Sequence, residues 1–251
     1  MTKNRRTSIF TVVLAAAAMS LASQLSAQTA CRQALALGLD VSGSVDSREY
    51  RLQLDGLAGA LSDIEVQNAL LAMPSAPVWF LVYEWSGQND QTIVLNWRAL
   101  NTQTALNQTI AQLLRTTRTP ANPSTAIGAA LATGITLLNQ KSTCWKRTLD
   151  ISGDGKSNTG PHPRDLAHLP LTSQITINAL VVGVDSQQDG DRRQIEISEL
   201  SSYFKAYVIS GPDAFVETAL GFEDFEAAMI RKLKRELQGL ALSNLDRIIV
   251  Q

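Results

Sequence analysis

The chain has 251 residues, 45% of them hydrophobic, with a formal net charge of −1. Its first 27 residues, "MTKNRRTSIFTVVLAAAAMSLASQLSA", join a basic start, an apolar run and a small-residue end, the pattern of a secretory signal cleaved after Ala27. Losing them removes Lys3, Arg5 and Arg6 and no acid, so 19 basic residues face 23 acidic ones and the net charge falls to −4. That balance argues against nucleic acid as a partner.

The apolar run Ile9–Leu21 is too short and alanine-rich for a membrane span, so no stable span is expected after cleavage. Arg5-Arg6 raises the twin-arginine route, but Ser8 stands where that signal prefers a bulky apolar residue, which favours the ordinary secretory route. No linker, low-complexity segment or internal repeat divides the rest. One domain over residues 31–239 with a tail at 240–251 is the simplest organisation.

In chain order, "ALALGLDV" (Ala34–Val41) reads as a strand buried on both faces. "REYRLQLDGLAGALSD" then spaces Tyr50, Leu54, Leu57 and Leu61 as a helix does. "VWFLVYEW" (Val78–Trp85) and "QTIVLNW" (Gln91–Trp97) are separated by five residues, too few for a crossover, and predict an antiparallel hairpin in which Trp85 and Trp97 pair across strands. Two helices follow in "TQTALNQTIAQLL" and "STAIGAALATGITLLNQ", the second capped by Ser124 or Thr125. "RTLDIS" (Arg147–Ser152) is a strand that runs into the glycine-rich loop "GDGKSNTGPHP". "ITINALVVGV" (Ile175–Val184) predicts a central strand, Arg192–Leu200 a helix, and "FKAYVIS" (Phe204–Ser210) a last strand. Phe222, Phe225, Met229 and Leu233 predict a long closing helix, with Arg231, Lys232, Lys234 and Arg235 late in it. Strands and helices taking turns define an α/β protein.

In such a sheet, ligand-binding groups gather beyond the carboxyl ends of the strands. Asp40, Ser42 and Ser44 follow the first strand, Thr125 heads the helix of "STAIGAAL", and Asp154 follows "RTLDIS". Two carboxylates and three hydroxyls are hard donors, suited to magnesium, manganese or calcium rather than to zinc or copper. Taken singly, Asp40 and Ser44 read as helix caps and Asp154 as a turn residue. Taken together at one sheet edge they read as a metal site.

The set Asp40-x-Ser42-x-Ser44, then Thr125, then Asp154, resembles the metal-ion-dependent adhesion site of von Willebrand factor type A domains. The wording "DVSGSVD", "DISGDGKSNTG" and "FEDFEAAMIRKLKREL" looks like an uncharacterised family of secreted bacterial proteins with that domain. The resemblance implies a doubly wound, mostly parallel six-stranded sheet with one antiparallel edge strand and helices on both faces. It implies a divalent cation, magnesium first and manganese or calcium next. Ser42, Ser44 and Thr125 would contact it, and Asp40 and Asp154 would act directly or through water. A sixth position would be left for water or an acidic residue of a protein partner. Pro123-Ser124 departs from the family, where glycine often precedes the threonine.

The same resemblance sets the first strand beside the one ending near Asp154. Cys31 lies nine residues before Asp40 and Cys144 ten before Asp154, so two parallel neighbours would bring the thiols together as a disulfide. Lipidation of Cys31 is the rival reading, against which Gln28 stands where an aliphatic residue is usual. The functional expectation is an exported adhesion or scaffold module of the bacterial periplasm, without enzymatic activity. A metal-dependent phosphate-ester hydrolase and a scaffold with a vestigial site are the alternatives.

Other motifs read as structural. "GDGKS" is no phosphate-binding loop, because Asp150 occupies the place of its first glycine. Ser42 and Ser157 lie outside any Gly-x-Ser-x-Gly elbow. His162 and His168 suit surface or capping roles, and Asp150, inside its strand, suits a structural one.

Overall fold

The computed structural model describes residues 30–167, 174–183 and 190–249, with the side chains of 167, 190–192 and 238–249 left out. The signal segment, His168, Val184 and the side chains of the tail therefore lie outside the described residues.

Among the described residues six strands form one sheet in the order β3-β2-β1-β4-β5-β6. They are β1 (Gln33–Asp40), β2 (Val78–Trp85), β3 (Gln91–Leu100), β4 (Lys146–Gly153), β5 (Ile175–Val182) and β6 (Val216–Ala219). Among these six strands the β2/β3 hairpin is the one antiparallel pair, and an isolated antiparallel bridge joins Ile177 to Ser210. The near-continuous burial of β1, β2, β4 and β5 is what a parallel sheet covered on both faces requires.

The helices are α1 (Ser47–Ser62), α2 (Ile64–Leu71), α3 (Gln103–Arg115), α4 (Ile127–Asn139), α5 (Pro163–Ala167), α6 (Gly190–Tyr207) and α7 (Phe225–Ile249), the last entered through a 3-10 turn at Phe222–Asp224. One core lies between the sheet and α1, α2, α3 and α7, around Leu37, Leu54, Phe80 and Phe225. The other lies under α4 and α6, around Ala36, Tyr83, Leu131 and Phe204. Among the described residues no helix is long and apolar enough to cross a membrane.

β1 and β4 pair with Gln33 opposite Lys146 and Gly38 opposite Ile151. The same register carried backwards sets Cys31 opposite Cys144, and these two form a disulfide with a Cα–Cα distance of 4.5 Å. Cys31 is thus bonded through its sulfur to Cys144, as the strand-neighbour expectation required.

Four local expectations are corrected. Phe204–Tyr207 is the end of α6 rather than a strand, because Leu200, Phe204 and Val208 recur at helical spacing and bury one stripe. The last strand is instead the four-residue β6, too short to show alternation. Neither Ser124 nor Thr125 caps α4, whose N-cap is Ala126 with no side-chain bond. Trp85 and Trp97 do not face each other, since Trp85 pairs with Gln91 across a ladder interrupted by register shifts. In addition α2 was not foreseen; Asp63 starts it by accepting from the N–H groups of Glu65 and Val66.

Candidate functional site

The loops after β1 and β4 and the segment before α4 meet at one edge of the sheet. Asp40 ends β1 and is buried, its Oδ1 accepting the N–H of Ser42 at 2.9 Å. Ser42 Oγ and Ser44 Oγ lie 3.3 Å apart, and Ser44 donates to Asp154 Oδ1 at 2.7 Å. Thr125 Oγ1 reaches Ser42 Oγ at 3.3 Å. All five sequence-derived positions therefore share one polar cluster.

These side chains are free for one another because other residues perform their conventional tasks. Helix α1 is capped by Asp46 and Glu49 in a reciprocal capping box, with Glu49 N donating to Asp46 at 2.8 Å and Asp46 N donating to Glu49 at 2.7 Å. Asp40 and Ser44 are thus not needed as caps. Gln53 of α1 donates to the carbonyl of Asp40 at 3.0 Å and accepts from Ser152 of β4 at 2.8 Å, which ties the strand ends together beneath the cluster. The Pro123-Ser124 departure is accommodated, since Gly43 N donates to the Pro123 carbonyl at 3.1 Å.

The second oxygen of Asp40 is the outstanding feature. Oδ2 is buried and, among the described residues, accepts no hydrogen bond of ordinary geometry. A Cβ added at Gly153 would stand 3.3 Å from that oxygen, 3.3 Å from Phe204 and 3.6 Å from Trp85, so all three surround the space above Gly153. Burial pushes the Asp40 carboxyl up to about 7, with the charge of Asp154 adding to the rise and the N–H and hydroxyl of Ser42 and the N–H of Asp154 opposing it. Burial raises Asp154 as well, against the hydrogen bond from Ser44. A desolvated pair of carboxylates with an orphaned oxygen is electrostatically short of positive charge.

Among the described residues no three His, Cys, Asp or Glu side chains are grouped to hold an ion. The cluster fits one through its mixed donor set, in which hydroxyl oxygens supplement two carboxylates and favour hard cations. Beside Asp154 a cavity of about 230 Å³ opens, lined among others by Lys156, Glu196, Glu199 and Leu200.

Several residues of the site's frame escaped the sequence reading. Thr125 N donates to Asn158 Oδ1 at 2.9 Å and Asn158 N donates to the Thr125 carbonyl at 2.9 Å. Ser157 Oγ lies 3.3 Å from the carbonyls of Thr125 and Thr159. Within a glycine-rich loop both look like ordinary turn formers, so nothing local marks them. His162 opens α5, accepting the N–H of Arg164 at Nδ1 and stacking edge-on with Tyr207 at 5.2 Å.

Asp150 is turned away from this edge. It forms an ion pair with fully buried Lys232 of α7, whose Nζ also donates to Glu236 at 2.5 Å. Asn178 of β5 donates to the same Glu236 oxygen at 2.7 Å. Burial holds the Asp150 carboxyl well above the usual carboxylate range, with the charge of Glu236 adding and Lys232 opposing. Burial acts to lower Lys232, but the two acids outweigh it and hold the ammonium up. One proton on the acid pair leaves the triad neutral, the state a dry core favours.

The pattern of a family described as "Protein of unknown function (DUF1194)" matches residues 30–241. No curated protein matches the chain in sequence. Among solved structures, proximal thread matrix protein 1 from the mussel byssus, determined with a zinc-occupied MIDAS motif, aligns at 15% identity over 83% of this chain and 46% of its own, with a TM-score of 0.54. The pilus adhesin SpaC from Lactobacillus rhamnosus GG aligns at 14% identity over 85% of this chain and 31% of its own, with a TM-score of 0.59. A von Willebrand factor type A protein from Catenulispora acidiphila aligns at 15% identity over 82% and 42%, with a TM-score of 0.52. The chain spans less than half the length of each of these three, and the likeness is one of fold.

Proposed function

Since the chain belongs to the DUF1194 family and carries the von Willebrand factor type A fold, we propose that it is an exported binding module that holds a divalent cation and captures a protein partner through it. The observation that carries this reading is the buried, unpartnered Oδ2 of Asp40 inside a cluster of hard oxygen donors. Asp40 and Asp154 supply two negative charges, Ser42, Ser44 and Thr125 supply neutral oxygens, and magnesium is the first choice before manganese or calcium. When bound, the cation supplies a Lewis-acidic point that accepts a carboxylate oxygen from a partner. The chain's own residues orient the donors and bury Asp40 away from bulk water. No reaction is proposed.

The named neighbours, an adhesin and a byssus protein crystallised with a metal in its MIDAS motif, support a binding role and a metal at this edge. The Cys31–Cys144 disulfide suits an oxidising compartment such as the bacterial periplasm.

The test is calorimetric titration of the mature chain with magnesium and manganese, beside Asp40→Ala and Ser42→Ala, followed by capture from periplasmic extract with and without chelator. Saturable binding lost in both variants, with capture that needs metal, is the expected result. Absence of metal binding by the unmodified chain, or capture indifferent to chelator and to both substitutions, would overturn the reading.

A further inference from the structure

The hydroxyl of Thr125 is available to the cluster because its own helix makes no use of it. Helix α4 starts at Ile127 behind Ala126, without a side-chain cap. A threonine in an uncapped segment ahead of a helix can turn about its backbone, and a small rotation there moves Oγ1 away from Ser42. The backbone of Thr125 is held instead, on both sides of its Cα, from the loop after β4. Asn158 closes a two-point clamp on it, accepting the Thr125 N–H at Oδ1 and donating its own N–H to the Thr125 carbonyl, each at 2.9 Å. Ser157 Oγ adds a contact to the same carbonyl at 3.3 Å.

That loop is itself braced. The Pro161 carbonyl sits so close to α4 that a Cβ on Gly128 would collide with it. Tyr203 of α6 accepts the N–H of Ser157 at 3.3 Å, and Ala126 N donates to the Ser86 carbonyl at 2.8 Å. Asn158 follows Asp154 by four positions on the same loop. The clamp therefore joins the two segments that carry Thr125 and Asp154.

We infer that Asn158 is a positioning residue for the cation site, setting the orientation of the Thr125 hydroxyl and its distance from Asp154. This rests on the reading that Asp40, Ser42, Ser44, Thr125 and Asp154 hold a divalent ion. Asparagine suits the task because its side-chain oxygen accepts while its own backbone N–H donates, so the N–H and the C=O of Thr125, which flank its Cα, are both bound by one residue. Residues that orient metal ligands from behind commonly contribute tenfold to hundredfold to metal affinity.

The experiment measures the affinity for manganese alone by titration calorimetry in the unmodified mature chain, Asn158→Ala, Asn158→Asp, Thr125→Ala and the double variant Thr125→Ala/Asn158→Ala. Asn158 is exposed, so alanine leaves no buried cavity. Asn158→Ala is expected to weaken binding about tenfold or more. Asn158→Asp, which keeps the accepting oxygen, is expected to bind at least as tightly as the unmodified chain. If Asn158 acts through Thr125, the double variant binds no more weakly than Thr125→Ala within about twofold, the signature of coupled sites. Binding by Asn158→Ala within twofold of the unmodified chain, loss in Asn158→Asp equal to that in alanine, or fully multiplicative losses in the double variant would each overturn the inference. An unmodified chain that binds no manganese would sink the cation reading itself, a separate outcome seen before any variant is compared.

Discussion

Ser44 donates a 2.7 Å hydrogen bond to Asp154, a residue 110 positions later in the chain. The bond joins the loops after β1 and β4, which are parallel neighbours in the sheet. Two such strands release their chains at the same edge, so polar residues distant in sequence converge there without either loop being long.

The pH response of this edge has a definite sign. Asp40 is raised from its ordinary 3.8 to about 7 by burial and by Asp154, so the folded, metal-free protein binds a proton more tightly than the unfolded chain. Its contribution to stability is complete below pH 4 and is lost as pH rises through about 7. A cation replaces that proton, so added magnesium should raise the melting temperature more at pH 8 than at pH 5.5. At a hundredfold excess over the dissociation constant the stabilisation is about 2.7 kcal/mol. Differential scanning calorimetry at the two pH values, with and without magnesium, checks this, and Asp40→Asn should flatten both dependences.

Lys232 is fully buried between Asp150 and Glu236. Replacing it with methionine leaves two carboxylates in the core without their cation, and about 3–5 kcal/mol of stability should be lost. Urea unfolding reads the change. The triple variant Asp150→Leu/Lys232→Met/Glu236→Met, which removes all the charge, should recover much of it; a triple variant as unstable as the single one would show that packing rather than charge decides.

The Cys31–Cys144 disulfide closes a separation of 113 residues. In the chain-entropy model a loop of that length contributes about 4–5 kcal/mol. Unfolding midpoints in the presence and absence of dithiothreitol should differ accordingly, and Cys31→Ala/Cys144→Ala should match the reduced protein. The cation affinity should stay within a few-fold, because the disulfide lies at the opposite end of β1 from Asp40.

Gly128 lets the loop after β4 lie against the first turn of α4. Gly128→Ala forces the Pro161 carbonyl outward and should cost about 1–3 kcal/mol, as overpacking does. Chemical denaturation measures this loss. Metal titration should show weaker binding than in the unmodified chain, since the same loop carries Asn158 and Asp154.

Much of the fold was legible because its signals are local. The two apolar runs separated by "SGQND" could only return as a hairpin, and β2 and β3 form it. The closing helix followed from Phe225, Met229 and Leu233 at helical spacing, all buried. Where local signals conflict, packing wins: the β-forming run Phe204–Ser210 begins as helix because Phe204 and Val208 complete the buried stripe started by Leu200. At the site, Asp40, Ser42, Ser44 and Asp154 were legible from their placement after strands and Thr125 from its place at the head of a helix, whereas Asn158, Gln53 and Ser152 were not. Their roles are hydrogen bonds between loops and helices far apart in the chain.

By itself the sequence determined the alternation of strands and helices and the clustering of Asp40, Ser42 and Ser44 behind the first strand, while the meeting of Cys31 and Cys144 followed only from the strand neighbours that the family resemblance implied. These depend on periodicity and on distance along a strand, which a chain carries in its order. Only the tertiary structure decided that Asp40 keeps one oxygen without a partner, that Asn158 rather than a helix cap holds Thr125, and that Lys232 lies between two buried acids. Those are outcomes of burial and side-chain direction, and they exist only once distant segments exclude water together.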